Sequence, residues 1–497
     1  MFDKILIANR GEIAVRIMRT AREMGVRTVA VYSTVDALAL HVLTADEAVC
    51  LGDPEPAQSY LHIEKIIAAA RQTGAQAVHP GYGFLAENPA FAQAVVDAGL
   101  VFIGPPASVM AQLGDKTQAR RLMQTGGVPI IPGMTSADDD PARLAEAAEE
   151  IGYPLLIKAA AGGGGKGMRV VHAPGELAAA AKQAASEAKS AFGDGSIYLE
   201  KYLAKPRHIE FQILADAHGN VVHLYERECS IQRRHQKIIE ETPSPALNDA
   251  LRARMGEAAV AAAKAAGYVN AGTVEFLLNG DGEFYFLEVN TRLQVEHPIT
   301  EAITGLDLVR RQLNIAAGEP LPFAQDDIPQ RGHAIECRIY AEDPENNFLP
   351  SPGKILFHRE PTGPGVRLDN GVYTGFEVPV QYDPILGKLV TWAEDRPAAI
   401  ARMTRALSEC VILGVKTPIE YMRAVINAPA FVAGDTYTDF LAEHFAAWQP
   451  DADADNAARL AYALHETLAP AASASAGETR REAPSPWQTL GHWHLGK

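Results

Sequence analysis

The chain has 497 residues, 47% of them hydrophobic, which is ordinary globular composition over a length suited to roughly two to four domains. A formal charge of −16 excludes the broadly basic face of a nucleic-acid binder, and the apolar start Ile5-Leu-Ile-Ala8 stops at Asn9-Arg10, far short of a signal-peptide core or a membrane span. The cysteines Cys50, Cys229, Cys337 and Cys410 are scattered with no Cys-x-x-Cys, so neither a disulfide framework nor a zinc site is expected, and the chain reads as cytoplasmic with reduced thiols.

Over the first 110 residues a strand-then-helix rhythm repeats: Ile5–Ala8, a helix with Ile13, Ile17, Ala21 and Met24 on one face, Thr28–Tyr32, Ala75–Val78 and Leu100–Ile103. This pattern predicts a doubly wound α/β domain with a parallel sheet. Its first turn, Asn9-Arg-Gly-Glu12, has one glycine where a dinucleotide fingerprint needs three, which argues against a dinucleotide site.

A smaller unit follows, with helices expected at Pro141–Ile151 and Pro174–Phe192 and strands at Leu155–Lys158 and Met168–Val171. Between the strands lies Ala161-Gly-Gly-Gly-Gly-Lys-Gly167, a glycine run with free backbone N–H groups and a lysine at its end, suited to covering phosphates. It is not a P-loop, because Gly167 stands where Ser or Thr should be.

From Lys205 the pattern becomes antiparallel. His208–Ile213 alternates, Val221–Tyr225 follows a turn, a helix is expected at Asp249–Ala266, and Thr273–Leu278 and Glu283–Asn290 flank Asn279-Gly-Asp-Gly282. Centring that turn between Gly280 and Asp281 sets Leu278 opposite Glu283 and places Glu275 diagonal to Glu288, with Cβ atoms ~7 Å apart. Two glutamates that close repel each other without a cation between them, so Glu275, Glu288 and Asn290 are candidate ligands for Mg²⁺ or Mn²⁺.

Continuing as an extended strand, Glu288, Asn290, Arg292, Gln294 and Glu296 share one face, which joins a metal site to an anion clamp and a base. In the next α+β unit, Ala334–Tyr340 sets Glu336 and Arg338 on one face and Ile335, Cys337 and Ile339 on the other. After Pro450 come Asp-Ala repeats, a weak helix, linker composition at Pro470–Gly477, and an aromatic tail containing Trp487 and Trp493.

Taken together, Ile5–Ala14, His79–Asn88, the glycine loop with Lys166, Arg233-Arg-His-Gln-Lys237 and Glu288–His297 closely resemble biotin carboxylases over residues 1 to about 445. The resemblance implies an ATP-grasp fold, α/β and α+β. It divides into an N-terminal parallel-sheet domain (1–113), a linker and small lid (114–203), an antiparallel catalytic portion (204–330), a C-terminal domain (331–446) and a tail (447–497). It also implies MgATP, with two ions, and bicarbonate forming carboxyphosphate, followed by carboxylation of a ureido nitrogen of carrier-bound biotin.

By that resemblance Lys116, Lys158, Gly162, Gly163, Gly164, Gly165 and Lys166 hold phosphates, and Glu200, Lys201, Leu203, His208, Gln232 and His235 surround adenine and ribose. Lys237 lies between γ-phosphate and bicarbonate. Arg292 clamps bicarbonate with Gln294 and the Val295 N–H, and Glu296 takes its proton. Arg338 stabilises the biotin enolate, and Tyr82 lines that pocket.

The sequence shows no Met-Lys-Met carrier signature and no carboxyltransferase-sized segment, so the carrier protein and transferase are expected as separate chains and the enzyme as a homodimer. The acceptor is left open between acetyl-CoA, as in fatty acid biosynthesis, propionyl-CoA, methylcrotonyl-CoA and pyruvate. The competing readings are another ATP-grasp carboxylate–amine ligase and a nucleotide-sensing scaffold. The Arg292-Gln294-Glu296 series with Arg338 favours bicarbonate and an enolate.

Overall fold

The computed structural model describes residues 1–468 apart from 135, 136, 139, 161–167 and 235. The expected phosphate cover Gly162–Lys166, His235 and the Trp487–Trp493 tail therefore lie outside the described residues.

Strand β1 (Lys4–Ile7) is buried along its whole length. Ile5 and Ile7 join an apolar cluster with Ile13 and Ile17, whereas Leu6 joins a second one with Val29, Val31 and Ile66. A strand covered on both faces reads as a continuous apolar run, which is the mark of a parallel sheet between helices. With β2 (Arg27–Ser33), β3 (Glu47–Gly52), β4 (Ala77–His79) and β5 (Val101–Phe102), the order is β3-β2-β1-β4-β5, every pair parallel. The edge strand β3 was not among the expected elements.

At the end of β1, Asn9 Nδ2 donates to the carbonyls of Pro80 at 2.8 Å and Tyr82 at 2.7 Å, tying the first turn to the one that carries Tyr82. Gly81 has φ +64°, and a Cβ there would meet Asn9 Nδ2 at 2.8 Å, so the crossing needs glycine.

The small unit is a three-stranded antiparallel sheet, β6 (Leu155–Ala159), β7 (Arg169–Val171) and β8 (Ile197–Lys201), with β6 in the middle. The helices Pro141–Ile151 and Leu177–Phe192 bury Leu144, Ala148, Ala181 and Ala184 against it. Asp140 caps the first of these helices by accepting from Ala142 N–H, and Pro141 starts it where no N–H is needed.

The floor of the molecule is one eight-stranded sheet. Its first six strands, in spatial order, are β13 (Phe284–Asn290), β12 (Asn270–Leu278), β9 (Arg207–Ala215), β10 (Val221–Arg233), β11 (Gln236–Thr242) and β14 (His333–Tyr340), followed by Ile385–Ala393 and Val366–Asn370. The sheet is continuous across residue 330, because β11 pairs with β14. On its back, Ile209, Phe211, Ile213, Val274 and Phe276 pack on Met255, Ala259 and Ala262 of the helix Asp249–Ala265. The alternate residues His208, Glu210 and Gln212 face the other way.

Two details of the expected hairpin are corrected. Leu278 pairs with Phe284, not Glu283, because the connection spans residues 279–283, with Asn279 N–H donating to Glu283 O at 2.8 Å. A bulge at Leu287 then sets Glu275 directly opposite Glu288 rather than diagonal to it. Phe284, Phe286 and Val289 pack on the apolar face, so the bulge switches the parity and turns Glu288 toward the polar one. Moreover, the strand ends at Asn290. Residues 291–296 form an irregular segment leading into the helix His297–Thr304, not an extended strand.

All four cysteines are free. No helix among the described residues is long and apolar enough to cross a membrane. Residues 449–497 form a separate unit containing the helix Ala452–Leu468.

Candidate active site

A cleft of about 1130 Å³ lies over the polar face of the large sheet. Its walls come from the first turn (Asn9, Arg10), from Tyr82, from the lid (Lys158, Met168) and from the sheet, and its lining includes Lys116, Leu203, Gln232, Arg292, Val295 and Arg338.

At its centre the Lys237 ammonium contacts three carboxylates: Glu210, Glu275 at 2.8 Å and Glu296 at 2.7 Å. Burial would lower the lysine, but the three anions raise it well above its ordinary value, so it remains a cation. Glu296 is fully buried, with Oε1 on Lys237 and Oε2 accepting from Arg338 Nη2 at 2.8 Å. Burial raises its carboxyl, yet Lys237, Arg338 and Arg227 outweigh that and hold it well below the usual range. Arg338 also donates from Nε to Glu240 at 2.6 Å. It does not pair with Glu342, which is bound to Arg233 at 3.1 Å.

Arg292, on the irregular segment, is held in a fork. Nε donates to Glu87 at 2.9 Å, Nη1 to Gln294 Oε1 at 3.0 Å and Nη2 to Asn290 Oδ1 at 3.3 Å. Glu87 also accepts from Thr291 N–H at 3.0 Å, which fixes the backbone that presents the arginine. A guanidinium immobilised in this way is preorganised for a planar oxyanion.

Glu275 is densely bonded, to Lys237, to His208 Nε2 at 2.9 Å, to Asn290 Nδ2 at 2.8 Å and to Gln294 Nε2 at 3.3 Å. Glu288, its partner across the hairpin, faces the cleft with no hydrogen bond or ion pair among the described residues. Although the side chain is open to solvent in the cleft, desolvation by the surrounding walls, and then the charge of Glu275, push its carboxyl up. His208, Glu210 and Glu275 carry ligand atoms within 4.8 Å of one another, but the cation that Glu210 and Glu275 share is Lys237 itself. The repelling Glu275–Glu288 pair with the amide oxygen of Asn290 is instead an all-oxygen donor set that fits a hard divalent ion.

Family models match three consecutive stretches: biotin carboxylase, N-terminal domain, at residues 1–110; carbamoyl-phosphate synthase L chain, ATP binding domain, at 115–324; and biotin carboxylase C-terminal domain at 336–443. The chain belongs to the biotin carboxylase family. A pyruvate carboxylase subunit of Methanothermobacter thermautotrophicus is 56% identical over 444 residues, 89% of this chain and 90% of that one. The propionyl-CoA carboxylase alpha chain of Ruegeria pomeroyi is 49% identical over 490 residues, 94% of this chain and 72% of that one. Among solved structures, the biotin carboxylase domain dimer of Hydrogenobacter thermophilus 2-oxoglutarate carboxylase, with MgADP, ADP and bicarbonate, matches at 46% identity and a TM-score of 0.84, covering 89% of this chain and 98% of that one.

In this biotin carboxylase Lys158, Glu200, Lys201, His208 and Tyr82 line the same cleft. Lys158 is paired with Glu200 at 2.5 Å, and Arg120 joins Glu200 at 2.7 Å. Lys201 lines the cleft while its ammonium donates to the carbonyls of Gly152 at 3.4 Å and Tyr153 at 3.2 Å. The buried Tyr82 hydroxyl has no hydrogen-bond partner among the described residues. Reading the sequence missed Glu210, Arg227, Glu240 and the role of Glu87. Glu210 is held by the fully buried Arg227, which also donates to Gln212 at 2.8 Å, Thr300 at 2.9 Å and Thr273 at 3.0 Å. The available signal was the polar side of the alternation His208-Ile-Glu-Phe-Gln-Ile213.

Proposed function

We propose that this biotin carboxylase uses MgATP and bicarbonate to carboxylate biotin borne on a biotin carboxyl carrier, from which a carboxyltransferase takes the carboxyl group. The observation that carries the reading is the single cleft in which Lys237, flanked by Glu296 and Glu275, stands between an acidic donor set and two arginines.

A divalent ion held by Glu275, Glu288 and Asn290, alone or with a second, would neutralise charge on the phosphate oxygens. Lys116 and Lys158 bind the phosphates, with Gly162–Gly165 and Lys166 as their cover. Glu200, Lys201, Leu203, His208, Gln232 and His235 enclose the nucleoside. Arg292, Gln294 and the Val295 N–H orient bicarbonate, and Glu296 accepts its proton, which makes the oxygen a nucleophile toward the γ-phosphorus. Carboxyphosphate breaks down in the cleft to CO₂ and phosphate. Arg338 stabilises the ureido oxygen as its charge develops, with Tyr82 as a wall of that pocket.

We read the chain as 1–113, 114–203, 204–330, 331–446 and a tail 447–497. The dimer formed by the biotin carboxylase domain of 2-oxoglutarate carboxylase supports a homodimer here. These relatives serve pyruvate, propionyl-CoA and 2-oxoglutarate carboxylases with the same body, so the acceptor is chosen by the transferase. The propionyl-CoA carboxylase match covers 94% of the chain, more than the matched body alone, which supports an acyl-CoA carboxylase component whose tail docks a partner. Deleting residues 480–497 should weaken carrier binding by at least about tenfold with free-biotin turnover retained. Equal affinity by titration calorimetry rejects the docking role.

The experiment that tests the function is ADP release with MgATP and bicarbonate, with and without free biotin. Stimulation by biotin that requires bicarbonate is expected. Turnover indifferent to both free and carrier-bound biotin would favour another ATP-grasp ligase. Glu288→Gln should raise the Mg²⁺ concentration for half-maximal turnover about 10–100-fold, and an unaltered Mg²⁺ titration would remove Glu288 from the ligand set.

A further inference from the structure

Arg338 has a second carboxylate partner that the catalytic reading does not use. Glu240, fully buried on β11, accepts from Arg338 Nε at 2.6 Å through Oε1, while its Oε2 has no hydrogen-bond partner among the described residues. Opposite it on β14, as its register partner, stands Glu336, also fully buried, with neither carboxyl oxygen hydrogen-bonded among the described residues. Register partners on neighbouring strands have Cβ atoms roughly 5 Å apart. Three buried carboxyl oxygens without a donor are costly unless a proton links them.

The surroundings say which acid is neutral. Burial, then the charge of Glu240, raise Glu336 well above the carboxylate range, against Lys388 and Arg338, and Glu296 adds to the push. Glu240 rises to about 7, because burial and Glu296 outweigh Arg338 and Lys237. Lys388, the register partner of Arg338, is engaged with Glu12 of the first helix at 3.1 Å. The helix packed on the side of β14 that carries Ala334 and Glu336 begins at His297, which burial, then Lys388 and Arg16, keep neutral. Of these groups, the acid that the strand register sets opposite Glu240 is Glu336.

We infer that Glu240 is a positioning residue that aims Arg338 at the ureido oxygen of biotin, and that Glu336 backs it as a neutral acid donating to its second oxygen. This rests on the reading of Arg338 above. Glu240 takes Nε and Glu296 takes Nη2, so two carboxylates fix the plane of the guanidinium. With Glu336 neutral, Glu240 orients the arginine with one negative charge. A dianionic pair would oppose the charge that grows on the ureido oxygen.

The test uses the full chain, free biotin and infrared difference spectra. Glu240→Gln should lower kcat for biotin carboxylation about 10–100-fold, with KM for ATP unchanged. The spectrum of the wild type minus that of Glu336→Gln at neutral pH should show one carboxylic-acid C=O band. Wild-type kcat in Glu240→Gln, or no acid band in the difference spectrum, overturns the inference. The spectrum decides alone if Glu240→Gln does not fold. Arg338→Gln is the control: if it is impaired and Glu240→Gln is not, only this inference fails, whereas full turnover in Arg338→Gln removes the underlying reading as well.

Discussion

Glu296→Gln is expected to lose bicarbonate-dependent ADP release by about 10²–10⁴-fold, the usual contribution of a positioned base, while still binding MgATP. Glu296 is the carboxylate joined to both Lys237 and Arg338, so among the described residues it alone touches the cation assigned to phosphate and the one assigned to biotin. In the structure both of its oxygens are taken by cations and its carboxyl is held well below the usual range, which makes it a weak base. On the proposed roles it would strengthen as those cations turn toward incoming anions, which would couple proton abstraction to nucleotide binding. Calorimetric ATP binding alongside ADP release separates the two effects. Wild-type turnover in the variant would remove Glu296 from the mechanism.

The second large effect is on the fold. Lys237→Met leaves Glu210, Glu275 and Glu296 without their shared cation, and breaking a buried ion pair costs ~3–5 kcal/mol. The penalty should depend on pH with a definite sign. In the wild type Glu275 and Glu296 are depressed, Lys237 being in each case the main opponent of burial, so they contribute stability at neutral pH that is lost only as pH falls through their low folded values. Without the lysine, burial pushes those carboxyls up, so acidification protonates them and relieves the variant. The difference in Tm should therefore be widest near about pH 8 and narrow toward about pH 5, at the top of the ordinary carboxylate range. A pH-independent difference would show that the lysine acts through packing rather than charge.

The sequence made much of the architecture legible where one face of an element is apolar. Four of the five parallel strands, all but the edge strand β3, both lid helices and the strand from His208 follow from burial periodicity. The same logic concealed the floor of the site: His208, Glu210 and Gln212 alternate with Ile209 and Phe211 just as they would on a solvated strand, and periodicity does not distinguish water from a polar cleft. Glu240 and Glu336 were hidden for a related reason, since buried carboxyls are rare enough that a strand carrying them reads as half exposed. The bulge at Leu287 was also unreadable, although it decides which way Glu288 points. Arg292, Gln294 and Glu296 were legible as a set because of their spacing, even though the backbone beneath them is not the extended strand that spacing suggested.

The continuous eight-stranded sheet also shapes how the protein is made. Strand β11 ends at Thr242 and its neighbour β14 begins at His333, 91 residues later (333 − 242). At synthesis rates of about 5–20 residues per second the ribosome needs roughly 5–18 s to cover that interval. Throughout it, β11 presents an open row of backbone donors and acceptors beside the half-built apolar face, which is a template for pairing with another nascent chain. Expression yield should therefore depend strongly on chaperone capacity, and truncations ending between these strands should precipitate rather than accumulate as a soluble half-enzyme.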